Sequence, residues 1–238
     1  MTKLTILQLY PNELNVYGDN GNLLCLTKRL QWREIDYRVI KHNVGDKLTT
    51  KPDIILGGGG QDSNQAKIAD DFALITPKLK KWVEADVPTL LICGAYQLFG
   101  AYFKTEAGER IAGADILPLY TKADKQRSIG NVVISSPKFG RIVGYENHSG
   151  QTFLEEDLQP LGTVIVGDGN NRRDNHEGVF YHNLIGTYCH GPILPKNPRL
   201  ADFLISQALK NRGENGRLRP LDDSLELQAA EQAANRPR

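Results

Sequence analysis

Cys93 is the residue whose surroundings best suit a nucleophile. It ends the apolar run 89–92, which predicts a short buried strand. Gly94 and Ala95 follow at once, and a helical pattern continues from them. A strand that ends at a nucleophile and turns sharply into a helix is one way in which α/β enzymes expose a reactive side chain. The start of such a helix favours a thiolate, so the pattern predicts a nucleophile, with a buried structural cysteine as the alternative.

A cysteine nucleophile needs a base, and His190 is the best candidate. Residues 184–188 predict a strand, and His190 follows them in a turn formed with Gly191 and Pro192. If this strand is parallel to 89–92, both side chains lie at the same edge of the sheet. His148 is the alternative base. Of the remaining histidines, His42 and His176 lie in polar, surface-like segments, and His182 fits packing or exposure to solvent better.

The four glycines at 57–60 supply a third element of a possible site. Peptide N–H groups without side chains in the way can stabilise an oxyanion, although a flexible turn is the alternative interpretation. The run lacks the Lys-Ser/Thr pair of a phosphate-binding loop and the spacing of a dinucleotide-binding loop. No paired Cys or His positions show metal-ligand spacing, so the sequence predicts no metal site. Cys25 and Cys189 are expected to be packed thiols.

Composition indicates a globular protein of ordinary type. The 238 residues are 40% hydrophobic and 24% charged, with a formal net charge of +1, which gives no reason to expect nucleic acid as a partner. The three cysteines form no disulfide framework and favour a reducing cytoplasm. The start of the sequence lacks the architecture of a signal peptide, and no apolar run approaches the length of a membrane span.

The predicted elements alternate between strands and helices in the first part of the chain. Strands are expected at 4–10, 36–41, 53–56 and 88–92. Helical patterns separate them, one of which reaches about residue 83 with Pro77 expected to break or restart it. Asp19 or Asn20 is the expected N-cap of the first helix. The pattern is typical of a doubly wound parallel sheet, with its site at the carboxyl ends of the strands.

The second part of the chain is rich in short strands and turns. Runs at 132–134, 141–145, 163–166 and 178–181 are expected as hairpins or as additions to the edge of the same sheet. A helix is expected at about 199–209. We predict one domain at 1–211 and a tail at 212–238 that is partly helical, at about 221–233, or mobile.

Several separated motifs together resemble the class I glutamine amidotransferases of the cobyric acid synthase-like branch. The similarity extends from about residue 4 to 210, and the motifs that carry it are 17–22 (YGDNGN), 57–62 (GGGGQD), 92–97 (ICGAYQ), 144–150 (GYENHSG) and 186–192 (GTYCHGP). The resemblance implies a flavodoxin-like α/β fold of class I glutamine amidotransferase type. Such a fold has a mostly parallel central sheet flanked by helices, with added antiparallel strands.

The resemblance also implies a reaction and a role for each matching residue. Cys93 would attack the side-chain amide of glutamine, and His190 would transfer the protons. Backbone N–H groups at Gly59 and Gly94 would hold the oxyanion, and Arg127 would bind the carboxylate of glutamine. Without the resemblance, Arg127 is an ordinary solvated loop arginine.

The motifs are most similar to a subfamily in which the glutaminase passes ammonia to a partner subunit. The resemblance implies a heterodimer with a Mur ligase-like subunit, which would bind ATP and Mg, with no cofactor in this chain. The acceptor would be the D-glutamate α-carboxyl of lipid II, amidated to D-isoglutamine during peptidoglycan synthesis. The expected location is the cytoplasm, at the inner face of the membrane through lipid II.

The sequence departs from ordinary class I amidotransferases at Pro192, where a glutamate usually orients the histidine. Glu146, Asp168 or Asp174 are candidate replacements, and our hypothesis is that the partner subunit supplies the acid. Two alternatives remain open. One is a stand-alone cysteine hydrolase of the same fold that acts on γ-glutamyl bonds or on another acceptor, and the other is a non-catalytic regulatory subunit.

Overall fold

The structure is a computed structural model that describes residues 3–155 and 158–237. Residues 1, 2 and 238, at the ends of the predicted domain and tail, lie outside this part. The helices are α1 Asn20–Trp32, α2 Asp62–Glu84, α3 Gly94–Leu98, α4 Pro198–Asn211 and α5 Ser224–Ala234. The strands are β1 Leu4–Leu9, β2 Tyr37–His42, β3 Ile54–Gly57, β4 Thr89–Ile92, β5 Tyr102–Lys104, β6 Arg110–Ala112, β7 Leu119–Ser136, β8 Gly140–Leu154, β9 Gly162–Val166, β10 His176–Glu177, β11 Val179–Tyr181 and β12 Leu184–Thr187.

The first sheet has the order β11-β12-β4-β3-β1-β2 and is parallel except for β11. Strands β1, β3, β4 and β12 are buried along their whole length, as expected for parallel strands covered on both faces. The predicted parallel sheet is therefore confirmed. Strands β4 and β12 are neighbours, with Ile92 opposite Thr187, so the segments that follow them leave the sheet at the same edge.

The predicted break at Pro77 is wrong, because α2 continues through it. Proline removes one hydrogen bond from a helix and usually kinks or ends it. Here the packed side of the helix outweighs that loss, since apolar side chains on both sides of Pro77 are buried: Ile68, Phe72, Ile75, Leu79, Trp82 and Val83. Burial of each such side chain contributes about 1.5–3 kcal/mol.

Most of the strands in the second part of the chain form a second sheet. The predicted addition to the edge of the first sheet is confirmed for 178–181, whose strand β11 pairs antiparallel with β12, and the predicted hairpin is confirmed for β7 and β8. For the runs in β7, β8 and β9 the prediction that they extend the first sheet is wrong.

The order of the second sheet within the described residues is β10-β9-β7-β5-β6, with β8 paired to β7. Strands β7 and β8 make a long hairpin whose register shifts between Ala123 and Ser128. Such an irregularity bends a strand and changes the direction of its side chains. The hairpin also contacts the first sheet, because Tyr145 forms an isolated bridge with His190.

The C-terminal segment contacts the rest of the chain through a buried arginine. Arg29 of α1 is 1% exposed and pairs with Asp202 of α4 at 2.7 Å and with Asp223, just before α5, at 2.5 Å. Arg141 of β8 pairs with Glu231 of α5. The helical part of the predicted tail is thus present as α5 and contacts α1 and β8. The domain boundary at residue 211 stays a prediction. None of the helices in the described part of the chain combines the length and apolar character needed to cross a membrane.

Candidate active site

A cavity of about 380 Å³ lies where the carboxyl ends of β4 and β12 meet the β7–β8 hairpin. This size is typical of small-molecule sites, which range from about 300 to 1,000 Å³. Cys93, His190 and Arg127 all line it. Its other lining residues are Val16, Tyr17, Gly60, Gln61, Gln97, Phe103, Asn147, His148, Ser149 and Gly150. The structure therefore brings together three of the predicted site residues.

Cys93 occupies the sharp turn between β4 and α3. Its backbone has φ 49° and ψ −103°, in the region that residues other than glycine rarely adopt. The sharp turn expected at this position is therefore made by the cysteine itself. Strained residues of this kind persist where the surrounding structure holds them, and they cluster at functional sites. Cys93 is 9% exposed and lines the cavity, so a ligand in the cavity has access to it.

His190 is held in a fully buried position beside Cys93. Its backbone N–H donates to Tyr145 O at 2.7 Å, which fixes the residue against β8. Nδ1 lies 3.3 Å from Oδ2 of Asp19, an ion-pair distance without the geometry of a directed hydrogen bond. Nε2 has no hydrogen-bond partner among the described residues. The edge of the Tyr17 ring covers the imidazole, with 4.9 Å between ring centroids.

The electrostatic surroundings of His190 favour its protonated form. Burial opposes protonation, but the Cys93 sulfur and the Asp19 carboxylate outweigh it and raise the pKa of the imidazole to about 10. A protonated imidazole beside a cysteine stabilises the thiolate, which is the nucleophilic form of the side chain. This arrangement suits nucleophilic chemistry at sulfur followed by proton transfer from nitrogen.

Asp19 is a residue of the site that the sequence did not reveal, since its position before α1 predicts only a helix cap. The structure shows no side-chain cap from Asp19. Its carboxylate lies against His190 and accepts a hydrogen bond from the Gly59 N–H at 2.7 Å. The available signal was the motif 17–22, which places an acid in a polar loop near the carboxyl edge of β1.

The carboxylates that we named as replacements for the missing acid have other partners. Glu146 accepts hydrogen bonds from the N–H groups of Asp168 and Gly169. Asp174 accepts from the Asn171 side chain and from the backbone of His176.

The glycine loop contributes to the site in a different way from the one predicted. The Gly59 N–H donates to Asp19, so this amide is already occupied. A side chain at Gly59 would lie 2.6 Å from His190 Cε1, which explains why a glycine fits there. Gly60 lines the cavity, and its N lies 2.8 Å from the position of a Cβ on Gly94. Gly94 is the first residue of α3, where backbone N–H groups have no partner within the helix. Gly60 and Gly94 therefore lie side by side next to Cys93, with Gly60 in the cavity lining.

Arg127 reaches the cavity from the irregular part of β7. Its Nε donates to Asn147 Oδ1 at 3.1 Å, and its Nη2 donates to Asn147 Oδ1 at 2.8 Å and to Asn147 O at 3.1 Å. These contacts hold one edge of the guanidinium, and Nη1 has no hydrogen-bond partner within the part of the chain that the structure describes. A positioned guanidinium is well suited to bind a carboxylate.

The other histidines do not occupy the position of a base beside Cys93. His148 forms part of the cavity wall, where its ring stacks on Tyr188 with 3.7 Å between centroids and its Nδ1 contacts Gly150 O at 2.7 Å. His42 is 1% exposed and bonded to Asp71, so its expected surface position is wrong. His182 pairs with Asp86, and His176 lies near Asp174.

The two other cysteines lie outside the cavity lining. Cys189 is fully buried and packs against Gly144, as expected for a packed thiol. Cys25 is partly buried and packs against the core. Over the described ranges, no three His, Cys, Asp or Glu side chains are grouped so as to hold a metal ion.

Comparison with known proteins identifies relatives across nearly the whole chain. The family model described as the CobB/CobQ-like glutamine amidotransferase domain matches residues 5–198. The chain is 40% identical over 230 residues to the lipid II isoglutaminyl synthase (glutamine-hydrolyzing) subunit GatD of Staphylococcus aureus. This alignment covers 96% of this chain and 94% of that protein. It is 39% identical over 234 residues to the subunit of the same name from Streptococcus pneumoniae, in an alignment that covers 97% of this chain and 90% of that protein.

A solved structure with the same fold is a glutamine amidotransferase from Thermotoga maritima. It aligns with a TM-score of 0.57 and 14% sequence identity, covering 98% of this chain and 93% of that one. At this level of identity the likeness shows the fold alone, and it agrees with the class I architecture expected from the sequence.

Proposed function

The chain belongs to the CobB/CobQ-like glutamine amidotransferase family, and we propose that it is the glutaminase subunit of an enzyme that amidates lipid II. The observation that carries the proposal is the cavity itself, in which a strained Cys93 lies beside a buried His190, with Arg127 also in the lining. The names of the two bacterial relatives support lipid II as the acceptor.

The proposed reaction begins with attack of the Cys93 sulfur on the side-chain carbonyl carbon of L-glutamine. The carbonyl oxygen becomes an oxyanion, which the amides of Gly60 and Gly94 stabilise. His190 donates a proton from Nε2 to the amide nitrogen, the carbon–nitrogen bond breaks, and ammonia leaves. A thioester between the γ-carbonyl and Cys93 remains.

Hydrolysis of the thioester completes the cycle. Neutral His190 accepts a proton from water at Nε2, and the hydroxide attacks the thioester carbonyl. The carbon–sulfur bond breaks, which releases glutamate and restores the sulfur nucleophile and the protonated imidazole. Throughout the cycle, Arg127 binds the α-carboxylate and keeps the side-chain amide over Cys93.

The partner in this proposal is a Mur ligase-like subunit that forms a heterodimer with this chain. It binds ATP and Mg, activates the D-glutamate α-carboxyl of lipid II as an acyl phosphate, and uses the ammonia to form D-isoglutamine. Lipid II resides in the membrane, so the complex acts in the cytoplasm at its inner face during peptidoglycan synthesis. A hydrolase of γ-glutamyl bonds on the same fold is the alternative.

The test is release of ammonia and glutamate from L-glutamine by the chain and by its complex, compared with Cys93→Ala. We expect the variant to lose activity by at least about 10³-fold, because the covalent route is closed. Cys25→Ala, outside the cavity, is the matched control and should keep full activity. Equal rates for Cys93→Ala and the unaltered chain would overturn the proposal. Faster turnover of γ-glutamyl peptides than of glutamine would favour the alternative.

A further inference from the structure

We infer that one face of the second sheet contacts the anionic surface of a lipid bilayer. The inference rests on the proposed function, which places the acceptor of the ammonia in a membrane, and it assigns the surface of this chain that meets that membrane. We call this surface, which spans β5 to β8, the aromatic face. It consists of three aromatic side chains and four cations: Tyr102, Tyr120, Phe153, Lys104, Arg110, Lys122 and Arg173.

The aromatic rings of this face form one continuous row across three strands. Tyr102 lies opposite Tyr120 in the register, and Tyr120 lies opposite Phe153. Neighbouring ring centroids are 5.3 Å apart in both pairs, with interplanar angles of 8° and 23°. Such cross-strand pairs stabilise a sheet. Because the ring faces cover one another and each residue is half-buried, the row exposes mainly ring edges.

An arginine lies at each end of the row of rings. Cζ of Arg110 is 3.6 Å from the centroid of the Tyr102 ring. At the other end, Cζ of Arg173 is 5.8 Å from the centroid of the Phe153 ring. Both arginines are exposed, and the negative face of an aromatic ring attracts a cation. The row is therefore positively charged at both ends.

A second row, made of cations alone, runs beside the rings. Lys104 lies opposite Arg110 and opposite Lys122, and all three are exposed. Lys104 and Lys122 each follow a ring of the first row by two residues, so they share its face of the sheet. Like charges directly opposite each other destabilise a sheet. Stability of the sheet therefore does not explain this row, whereas binding of an anionic partner does.

Four cations of the aromatic face have no carboxylate partner among the described residues: Lys104, Arg110, Lys122 and Arg173. Asp124 is paired with Arg172 at 2.8 Å. Asp174 accepts a hydrogen bond from Asn171. Other exposed carboxylates near the cations in sequence lie outside both rows, in the turn between β5 and β6 or after the end of β8: Glu106, Glu109 and Glu155. The positive charge of the face is thus available to a partner.

A bilayer surface fits this face better than nucleic acid does. Single-stranded nucleic acid binds by stacking its bases on free ring faces. Here the neighbouring rings and Arg110 already cover these faces. Lipid phosphates need only the cations, and tyrosine suits the headgroup region of a membrane. The occupant that the face favours is therefore an anionic bilayer.

The aromatic face and the cavity lie on opposite sides of β5. Phe103, between Tyr102 and Lys104, points the other way and lines the cavity. A bilayer on the aromatic face therefore does not cover the cavity. We expect glutamine hydrolysis to proceed at the same rate with and without vesicles.

The experiment measures binding of the full chain, alone and with its ligase-like partner, to vesicles by co-sedimentation. The vesicles consist of phosphatidylcholine alone or of an equal mixture of phosphatidylcholine and phosphatidylglycerol. We expect binding to the mixed vesicles only, and its loss at high salt. Lys104→Gln/Lys122→Gln should weaken binding about 25-fold, because each cation near an anionic membrane contributes about fivefold. The matched control Lys80→Gln/Lys81→Gln removes two exposed lysines of α2 and should bind like the unaltered chain.

Chemical labelling of lysines tests the same face without a variant. Acetic anhydride acetylates accessible lysines, and mass spectrometry reports the rate at each position. We expect mixed vesicles to slow acetylation of Lys104 and Lys122 at least about threefold and to leave Lys80 and Lys81 unchanged. Equal rates at Lys104 and Lys122 with and without vesicles would overturn the inference, even if the double variant does not fold.

The outcomes separate this inference from the proposed function. A chain that hydrolyses glutamine but binds no mixed vesicles refutes only the inference, as does binding that the Lys104→Gln/Lys122→Gln variant retains. Equal binding to phosphatidylcholine alone refutes it too, because the contact then does not depend on charge. Protection of Lys104 and Lys122 by the partner without vesicles would identify a protein interface and overturn it. A chain and complex that release no ammonia from glutamine refute the proposed function, whatever the vesicles show.

Discussion

At the scale of single residues, Arg127 lies in the irregular stretch of β7 and is the residue that we propose binds the carboxylate of glutamine. Asn147 binds two of its three guanidinium nitrogens, and the third has no partner among the described residues. We predict that Arg127→Gln raises KM for glutamine about 10- to 100-fold, because hydrogen bonds to charged groups contribute about 1.5–3 kcal/mol. Steady-state glutaminase kinetics measure this, with the exposed Arg173→Gln as control. An unchanged KM would show that another group binds the carboxylate.

The buried Glu177 makes the stability of the folded chain depend on pH. It is fully buried, and burial raises its pKa to about 7 from the ordinary 4.5. Between these values the folded chain keeps a proton that the unfolded chain releases, so stability falls as pH rises from about 4.5 to about 7. Glu177 accepts hydrogen bonds from Thr187 and from the Tyr188 N–H, at the end of β12 that leads to His190.

The measurement is thermal unfolding from pH 5 to 8 for the unaltered chain and Glu177→Gln. We predict that the variant loses less stability across this range, since glutamine keeps an acceptor but cannot ionise. Glu214→Gln, at an exposed position, should follow the unaltered chain. Parallel curves for Glu177→Gln and the unaltered chain would contradict the prediction.

At the scale of the elements, the contact between α1 and the C-terminal segment depends on one buried guanidinium. Arg29 binds Asp202 and Asp223, and Arg33 adds a second contact to Asp202. We predict that Asp223→Asn lowers the free energy of unfolding by about 1–2 kcal/mol, because Arg29 keeps only one of its two carboxylates. It should also speed hydrogen exchange in α5. Chemical denaturation and exchange of Asp70→Asn, an exposed acid on α2, provide the comparison, and equal protection of α5 would refute the prediction.

The elements show how far sequence reasoning reaches. Strands β1, β3 and β4 were predicted within a residue or two, because mostly apolar runs are typical of strands buried on both faces. Strands β5 and β6 were missed, since each has only three residues of mixed character. The second sheet was not foreseen because alternation identifies a strand but not its partner. Pro77 was misjudged because a local rule ignores the packing of α2.

The same limit applies to the site. Cys93 and His190 stand out because each follows an apolar run and precedes small residues. Asp19 could not be placed at the site from its sequence neighbours. Its carboxylate contacts Gly59 and His190, which are distant in sequence and come close to it only in the folded chain. Gly59 was expected to donate to an oxyanion, and only the structure reveals that its amide is taken by Asp19.

At the scale of the whole molecule, the cavity takes residues from both sheets, which the Tyr145–His190 bridge also links. Cys93 and His190 follow strands of the first sheet, whereas Arg127 belongs to β7 of the second. We predict that a diazoketone analogue of glutamine, attached to Cys93, slows hydrogen exchange both in α3 and in β7 near Arg127. Alkylation by iodoacetamide, which adds no α-carboxylate, should protect only the region around α3. Identical protection by both reagents would contradict a ligand that bridges the sheets.

The pairing of β12 with β4 has a consequence for the chain while it is being synthesised. Strand β4 lies in the middle of the first sheet, yet one of its neighbours is formed by residues 184–187. At about 5–20 residues per second, a ribosome needs several seconds to reach these residues after it has made β4. During that interval the nascent sheet exposes an apolar edge at its centre, where strands of other nascent chains can pair. Cys93 likewise has no His190 beside it until residue 190 has been made, so the cavity is assembled only after most of the chain has been synthesised.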